Sequence, residues 1–219
     1  MKVSIIIATY GEERWADLAR SRALPSAENQ GPCDIVIGHD PDGTLASVRN
    51  RLAEKALGNW LCFLDADDQL APGFLEAMDQ ARRGEYALLA PHIAFVLRGM
   101  RKMPHFPDEI PLRDGNWLPI GTLIPKSRFL EVGGFREWPL FEDWDLWARA
   151  ELPIAKVPDA LYLAHYSHTS RNRVIAYEPK RNYWHQMIGH DLWPDYYDSP
   201  SGGEHSTREV AGVRKFAIA

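Results

Sequence analysis

Three carboxylates within four positions, Asp65, Asp67 and Asp68, end a short apolar run, Trp60-Leu61-Cys62-Phe63-Leu64. A run of that length bounded by turn residues reads as a buried strand. In an extended backbone Asp65 and Asp67 project to the same side. Two like charges at the mouth of a core strand are unfavourable unless a cation compensates them. A hard divalent ion held by carboxylate oxygens does this, and such ions usually also hold a substrate phosphate. The competing reading is a solvated acidic turn. Asp67-Asp68 ahead of Gln69-Leu70-Ala71-Pro72 suits the start of a helix, where anions are favoured. A second acidic group, Glu142-Asp143-Trp144-Asp145, opens another helical stretch after an apolar loop. Asp143 and Asp145 could cap that helix.

The elements that must position these groups alternate. Residues 3–8 are a β-branched run, the mark of a strand covered on both faces. Residues 14–24 have apolar positions at helical spacing and are expected to stop near Pro25. Residues 34–38 read as a second strand, followed by the turn His39-Asp40-Pro41-Asp42-Gly43. Residues 44–57 read as a helix with Thr44 as its cap. The organising strand comes third. A helix over 72–83, with Pro72 in its first turn, and a strand over 86–90 complete a β-α-β-α-β-α-β order. That alternation specifies an α/β fold with a mostly parallel sheet and helices on both faces. It puts Thr9-Tyr10, His39-Asp40 and Asp65-Asp67 at the C-terminal ends of three strands, the edge where open α/β sheets bind ligands. Beyond Ala90 the pattern becomes irregular. A hairpin over 93–103 and a loop over 105–116 come first. A strand over 119–125 and short helices over 126–132 and 144–151 follow. Then come two strands, 154–157 and 160–165, and a helix over 179–190.

Composition bounds the rest. With 219 residues, 45% hydrophobic and 25% charged, the chain reads as one soluble globular domain over 1–198 with a tail over 199–219. A net charge of −5 counts against general nucleic-acid binding. Cys33 and Cys62 both sit in or beside predicted strands and read as reduced, buried hydrophobes. The apolar run before Gly11 is too short for a signal peptide, and no later run reaches membrane length. A cytoplasmic protein is expected.

Four blocks resemble family 2 glycosyltransferases of the GT-A fold: VSIIIATYGEE from Val3, LASVRNRLAEKALGNWLCFLDADD from Leu45, IGTLIPKSRFLEVGGF from Ile120, and FEDWDLWARA from Phe141. They are also similar to small transferases encoded by bacteriophages, which would place the protein in a host cytoplasm. The resemblance implies a nucleotide-sugar half over 1–91 and an acceptor half over 92–198. It implies transfer of a sugar from a nucleotide-diphosphate donor, UDP- or GDP-sugar, with Mn²⁺ or Mg²⁺ neutralising the departing diphosphate. Asp67 is then the direct metal ligand. Asp65 contacts ribose, or the metal through water, and His165 is a third contact on metal or diphosphate, with His168 as its alternative. Asp68 is expected to cap the next helix.

Inverting attack needs a base on the face opposite the leaving group. Asp143 matches that role, with Glu142 beside it on the acceptor. Thr9, Tyr10, Gly11 and Glu12 match the nucleotide loop, and Asp40 the base-binding aspartate, with Asp42 as competitor. Arg49, Ala66, Gly121 and Thr122 are expected around the donor, Gly121 where a side chain would obstruct the sugar. Arg49 could equally be a solvated helix residue. Trp117, Trp138 and Trp144 are candidates for stacking an acceptor, or are core. Ser170-Arg171-Asn172-Arg173 could close over the diphosphate. The aromatic C-terminal part, Tyr183-Trp184, Trp193 and Tyr196-Tyr197, is expected to shape an acceptor cleft or to pack a second copy in a homo-oligomer. The acceptor expected is a protein, glycan or other soluble molecule. Two other functions share some of these features. A nucleotidyltransferase would normally show a Gly-rich phosphate loop after the first strand, which Ala8-Thr9-Tyr10-Gly11 lacks. A non-catalytic nucleotide-sugar or glycan module would not need both acidic groups.

Overall fold

A computed structural model describes residues 1–82, 87–97, 100–101, 110–165 and 181–198. Three strands run parallel: β1 (Val3–Tyr10), β2 (Asp34–Asp40) and β3 (Trp60–Phe63). β1 is central, with Ile5 opposite Ile35 on one side and Cys62 on the other. Along β1 and β3 alternate residues go to opposite faces. Ile5, Ile7, Trp60, Cys62 and Leu64 join one core cluster, while Ile6, Ala8, Leu61 and Phe63 join the other. That is why the sequence shows continuous apolar runs rather than alternation.

Helices cover both faces. The first is an α-helical turn, α1 (Arg14–Leu18), a π-helical turn (Ala19–Ala23), and α2 (Leu24–Glu28). The expected stop at Pro25 does not occur. The π turn restarts the helix so that Pro25 falls in the first turn of α2, where its missing N–H costs nothing. α3 (Leu45–Lys55) starts at a capping box in which the Thr44 hydroxyl accepts from Ser47 N at 3.1 Å.

The fourth strand of the alternation is placed differently from expectation. β5 (Leu88–Leu97) does not lie beside β3. A two-residue antiparallel strand, β7 (Ile124–Pro125), takes that position, giving the order β2-β1-β3-β7. A bridge between Leu89 and Leu123 links β7's chain to a second sheet, β4-β8-β5-β6. There β4 is Gln69–Leu70, β6 is Met100–Arg101, and β8 is one long strand, Ile154–His165. The two strands expected over 154–165 are thus a single strand. Its irregularity is a register shift, with Pro91 facing Val157 and His92 facing Leu161.

The remaining helices are α4 (Phe74–Ala81), α5 (Lys126–Glu131), α6 (Glu142–Ala150), α7 (Arg181–Leu192) and α8 (Pro194–Tyr197). Pro72 precedes α4, whose first residue follows Gly73 at φ 78°. α5 and α6 pack on the sheet through Phe129, Leu146, Trp147 and Ala150. Phe63, Phe129 and Phe135 form an aromatic triangle with centroids 4.8–5.7 Å apart. This packing brings the start of α6 to the C-terminal edge of the parallel strands.

Candidate active site

The chain turns immediately after β3. Asp68 N donates to Asp65 O at 3.1 Å, so residues 65–68 form a tight turn and not the extended segment that same-side projection assumes. The three carboxylates consequently part. The Asp65 carboxylate accepts from Arg49 Nη2 at 2.7 Å. Asp68 turns inward and accepts from the Tyr162 hydroxyl at 2.8 Å and from His165 N at 2.7 Å. It does not cap α4, whose N-cap is Gly73 with no side-chain bond. Burial first, then Asp67 and Asp65, push the Asp68 carboxyl well above the usual range. Asp67 lies between them. Its main-chain oxygen accepts from Arg22 Nη1 at 2.9 Å, an arm supplied by the π turn. Its carboxyl has no ion-pair partner among the described residues, and burial followed by Asp65 pushes it up to about 6.

The second acidic group is sorted in the same way. Phe141 precedes α6 at φ 62°, a left-handed conformation that is strained for a bulky residue and that swings the chain into the helix. Glu142 Oε1 accepts from Arg49 Nη1 at 3.0 Å. Asp145 is fully enclosed and forked by Arg149 through Nη2 at 2.6 Å and Nε at 2.9 Å. Arg149 also ties down the preceding loop at Gly134 O, at 2.6 Å. Asp143 faces neutral donors: Asn116 Nδ2 to Oδ2 at 2.9 Å and Trp144 N to Oδ1 at 2.8 Å. Burial first, then Glu142, raise its carboxyl to about 7.

At the ends of β1 and β2, Thr9 is buried with its hydroxyl 3.0 Å from His39 Nδ1. Tyr10 is 37% exposed. Gly11 bends at φ 71°, and its N donates to Asp40 O at 3.2 Å. Glu12 pairs with Arg14 at 2.8 Å on the surface. Asp40 holds Arg51 through Oδ2 at 3.1 Å and accepts from Asp42 N through Oδ1 at 3.2 Å. Beside these ends lies a cavity of about 300 Å³ lined by Thr9, Ala16, Arg20, Leu24, Ile37, Gly38 and His39. His165 is brought to the Asp65–Asp68 turn, where Nε2 pairs with Gln69 Oε1 at 2.7 Å, and burial lowers its pKa.

Other expected site residues are placed in packing roles. Gly121 is small because of Tyr162: a Cβ there would stand 2.3 Å from that ring. This clearance is a local reason for glycine, since it lets the Tyr162 hydroxyl reach Asp68. Thr122 and Ala66 are buried. Trp117 and Trp144 are core side chains, 5% and 0% exposed, so neither offers a face to an acceptor. Trp144 stacks on His185 at 4.4 Å. Trp138 is half-buried, 6.3 Å from the Trp184 ring. His168 and Ser170-Arg171-Asn172-Arg173 lie outside the described residues, as does the tail over 199–219. Among the described residues no cluster of three or more His, Cys, Asp or Glu is arranged to hold a metal, and no helix is long and apolar enough to cross a membrane.

Three residues enter the site without having stood out in the sequence: Arg22, Asn116 and Tyr162. Arg22 needs the π turn to reach Asp67, and a π turn has no simple sequence sign. Asn116 sits in a loop that carries no periodicity. Tyr162 was visible only as one apolar position in a strand.

Residues 22–105 match the model of the family described as Glycosyl transferase family 2. That span takes in Arg49 and Asp65–Asp68 and ends before Glu142-Asp143. The fold is GT-A. Among solved structures the chain is similar to S. aureus TarS 1-349, at TM-score 0.60 and 16% identity, covering 94% of this chain and 68% of that one. TarS 1-349 in complex with UDP-GlcNAc matches at TM-score 0.63 and 17% identity, covering 86% and 65%. Longer S. aureus TarS matches at TM-score 0.59 and 17% identity, with 95% of this chain on 46% of that one. The chain therefore spans less than half of the longer TarS. No curated protein matches the sequence.

Proposed function

We propose that the chain transfers a sugar with inversion from a UDP- or GDP-sugar to a hydroxyl acceptor, with Asp143 as the general base. The observation that carries this reading is the meeting of two acidic segments, Asp65–Asp68 and Glu142–Asp145, at the ligand-binding edge of the sheet. Beside the carboxyls tied up by the fold, each leaves one that is shifted toward neutrality and has no ion-pair partner among the described residues: Asp67 and Asp143. A base works best when its pKa lies near the working pH, and the Asp143 carboxyl at about 7 does. The UDP-GlcNAc held by TarS on this fold supports a nucleotide-sugar donor. Residues 1–91 then serve the donor and 92–198 the acceptor.

The donor set suits a small divalent ion. Asp67 is a partly desolvated carboxyl, raised by burial and by Asp65, and without a cation of its own. Mg²⁺ is commonly held by one or two carboxylates with substrate phosphates completing the shell, so a three-residue protein cluster is not required. Asp67, with the second oxygen of Asp65, would hold Mn²⁺ or Mg²⁺. The ion supplies Lewis-acid neutralisation of the departing diphosphate.

The protein's own steps follow from the geometry. Asn116 and Trp144 N fix both Asp143 oxygens, leaving their remaining lone pairs for an acceptor hydroxyl. Asp143 takes the hydroxyl proton as the oxygen bonds to the anomeric carbon. The bond from that carbon to the diphosphate oxygen breaks, and the nucleoside diphosphate leaves on the opposite face. Thr9, Tyr10, Gly11 and Asp40 surround the nucleobase and ribose.

Isothermal titration with UDP-GlcNAc, other UDP-sugars and GDP-sugars, each with Mn²⁺, tests the reading. Saturable binding of one donor, lost with EDTA and in Asp67→Ala, supports it. Binding unchanged by EDTA and by Asp67→Ala rules out the metal, and absence of binding to every donor rules out glycosyl transfer.

A further inference from the structure

We infer that Arg49 is a positioning residue: it holds the segment bearing the base at a fixed distance from the donor-side turn, and it is not a ligand of the donor. The inference rests on the reading of Asp143 as the base. Arg49 projects from α3, where the sequence alone left it between a donor contact and a solvated helix residue. It is neither. It is 3% exposed. One arm, Nη2, is on Asp65 Oδ1 at 2.7 Å, and the other, Nη1, is on Glu142 Oε1 at 3.0 Å. Its guanidinium carbon lies 4.9 Å from the centroid of the Phe135 ring, which closes one face. Asn50, its neighbour on α3, fixes that ring's backbone. Asn50 Nδ2 donates to Phe135 O at 2.8 Å, and Phe135 N donates back to Asn50 Oδ1 at 2.9 Å. The guanidinium is therefore held on three sides, by Asp65, Glu142 and the Phe135 ring.

A planar fork serves two carboxylates in fixed directions, whereas a lysine ammonium is a single point charge on a flexible stem. A guanidinium is not deprotonated in proteins, so the fork stays charged. Glu142 adjoins Asp143 in the chain. Any drift of Glu142 from Asp65 carries the base with it. A misplacement of about 1 Å can cost about 10²-fold in rate.

Wild type, Arg49→Lys and Arg49→Met are to be compared by UDP-GlcNAc calorimetry, hydrolysis kinetics with Mn²⁺ and thermal melting. Arg49→Lys is expected to keep the UDP-GlcNAc Kd within about threefold while kcat falls about 30- to 100-fold. A Kd raised about tenfold or more with kcat unchanged would make Arg49 a donor ligand and overturn the inference. A melting cycle needs no activity. Tm shifts of Asp65→Asn and Glu142→Gln should be non-additive with Arg49 present and additive in Arg49→Met. Additivity in the wild-type background overturns the inference. If no nucleotide sugar binds wild type, the glycosyl-transfer reading fails, and the melting cycle still decides whether Arg49 couples the two segments.

Discussion

The turn after β3 and the start of α6 hold the same three kinds of carboxylate. In each segment one is consumed by the fold: Asp68 by Tyr162 and the His165 backbone, Asp145 by Arg149. In each, one meets Arg49: Asp65 and Glu142. In each, one is left without a charged partner and shifted upward: Asp67 to about 6 and Asp143 to about 7. The segments differ in what faces that last group. Asp143 is gripped by two neutral N–H donors, which orient a carboxylate without removing its basicity. Asp67 lies beside Asp65 and the charge of Arg22 with no ion-pair partner among the described residues, an arrangement that an added cation would complete. On the proposed reading, one pattern of burial readies the turn after β3 for a cation and the start of α6, at the same sheet edge, for proton transfer.

The largest effect is expected from Asp143→Asn. Donor hydrolysis should fall by about 10²- to 10⁴-fold, with nucleotide-sugar Kd unchanged, measured by kinetics and calorimetry together. The same change should stabilise the protein at neutral pH. A carboxyl raised in the folded state contributes most below its unfolded pKa, and that contribution is lost as pH rises through about 7. The difference in unfolding free energy, Asp143→Asn minus wild type, measured by urea unfolding, should therefore be near zero at pH 4 and positive at pH 8, up to about 4 kcal/mol. A difference that does not grow with pH breaks the parallel with a poised base.

Next comes the consumed carboxylate. Asp145→Ala leaves Arg149 buried and unpaired and should destabilise by about 3–5 kcal/mol in urea unfolding. Asp67→Asn should do the reverse. Relieving the repulsion from Asp65 should leave stability equal or higher, while Mn²⁺-dependent donor binding weakens about tenfold or more, sharpening the division between structural and poised carboxylates. The smallest effect is expected from Gln69→Ala. It frees His165 Nε2, and donor affinity should change by less than about threefold unless that imidazole joins the metal shell.

Much of this was legible in the residues. The first three strands with their covering helices, and the place of both acidic segments along the chain, follow from periodicity and turn chemistry. Strand order was not legible past Ala90. β7 is two residues long, and its place beside β3 is set by long-range pairing of Trp60 with Pro125 and of Leu61 with Ile124, which leaves no local pattern. The same limit hid the fate of individual carboxylates. Sequence spacing put Asp65 and Asp67 on one side of an extended chain, but a turn bond from Asp68 N reorders them. Nor does the sequence show that Tyr162, distant along the chain, crowds Gly121. Trp117 and Trp144 share the composition of sugar-stacking residues, and only packing shows them enclosed.

The pH dependence of donor hydrolysis, with UDP-GlcNAc and Mn²⁺ for wild type and Asp143→Asn, tests the central claim most directly. If Asp143 is the base, wild-type kcat rises with pH to a midpoint near 7, and the Asp143→Asn rate is low and flat while the donor still binds. An Asp143→Asn enzyme with the wild-type rate and the same midpoint would contradict it.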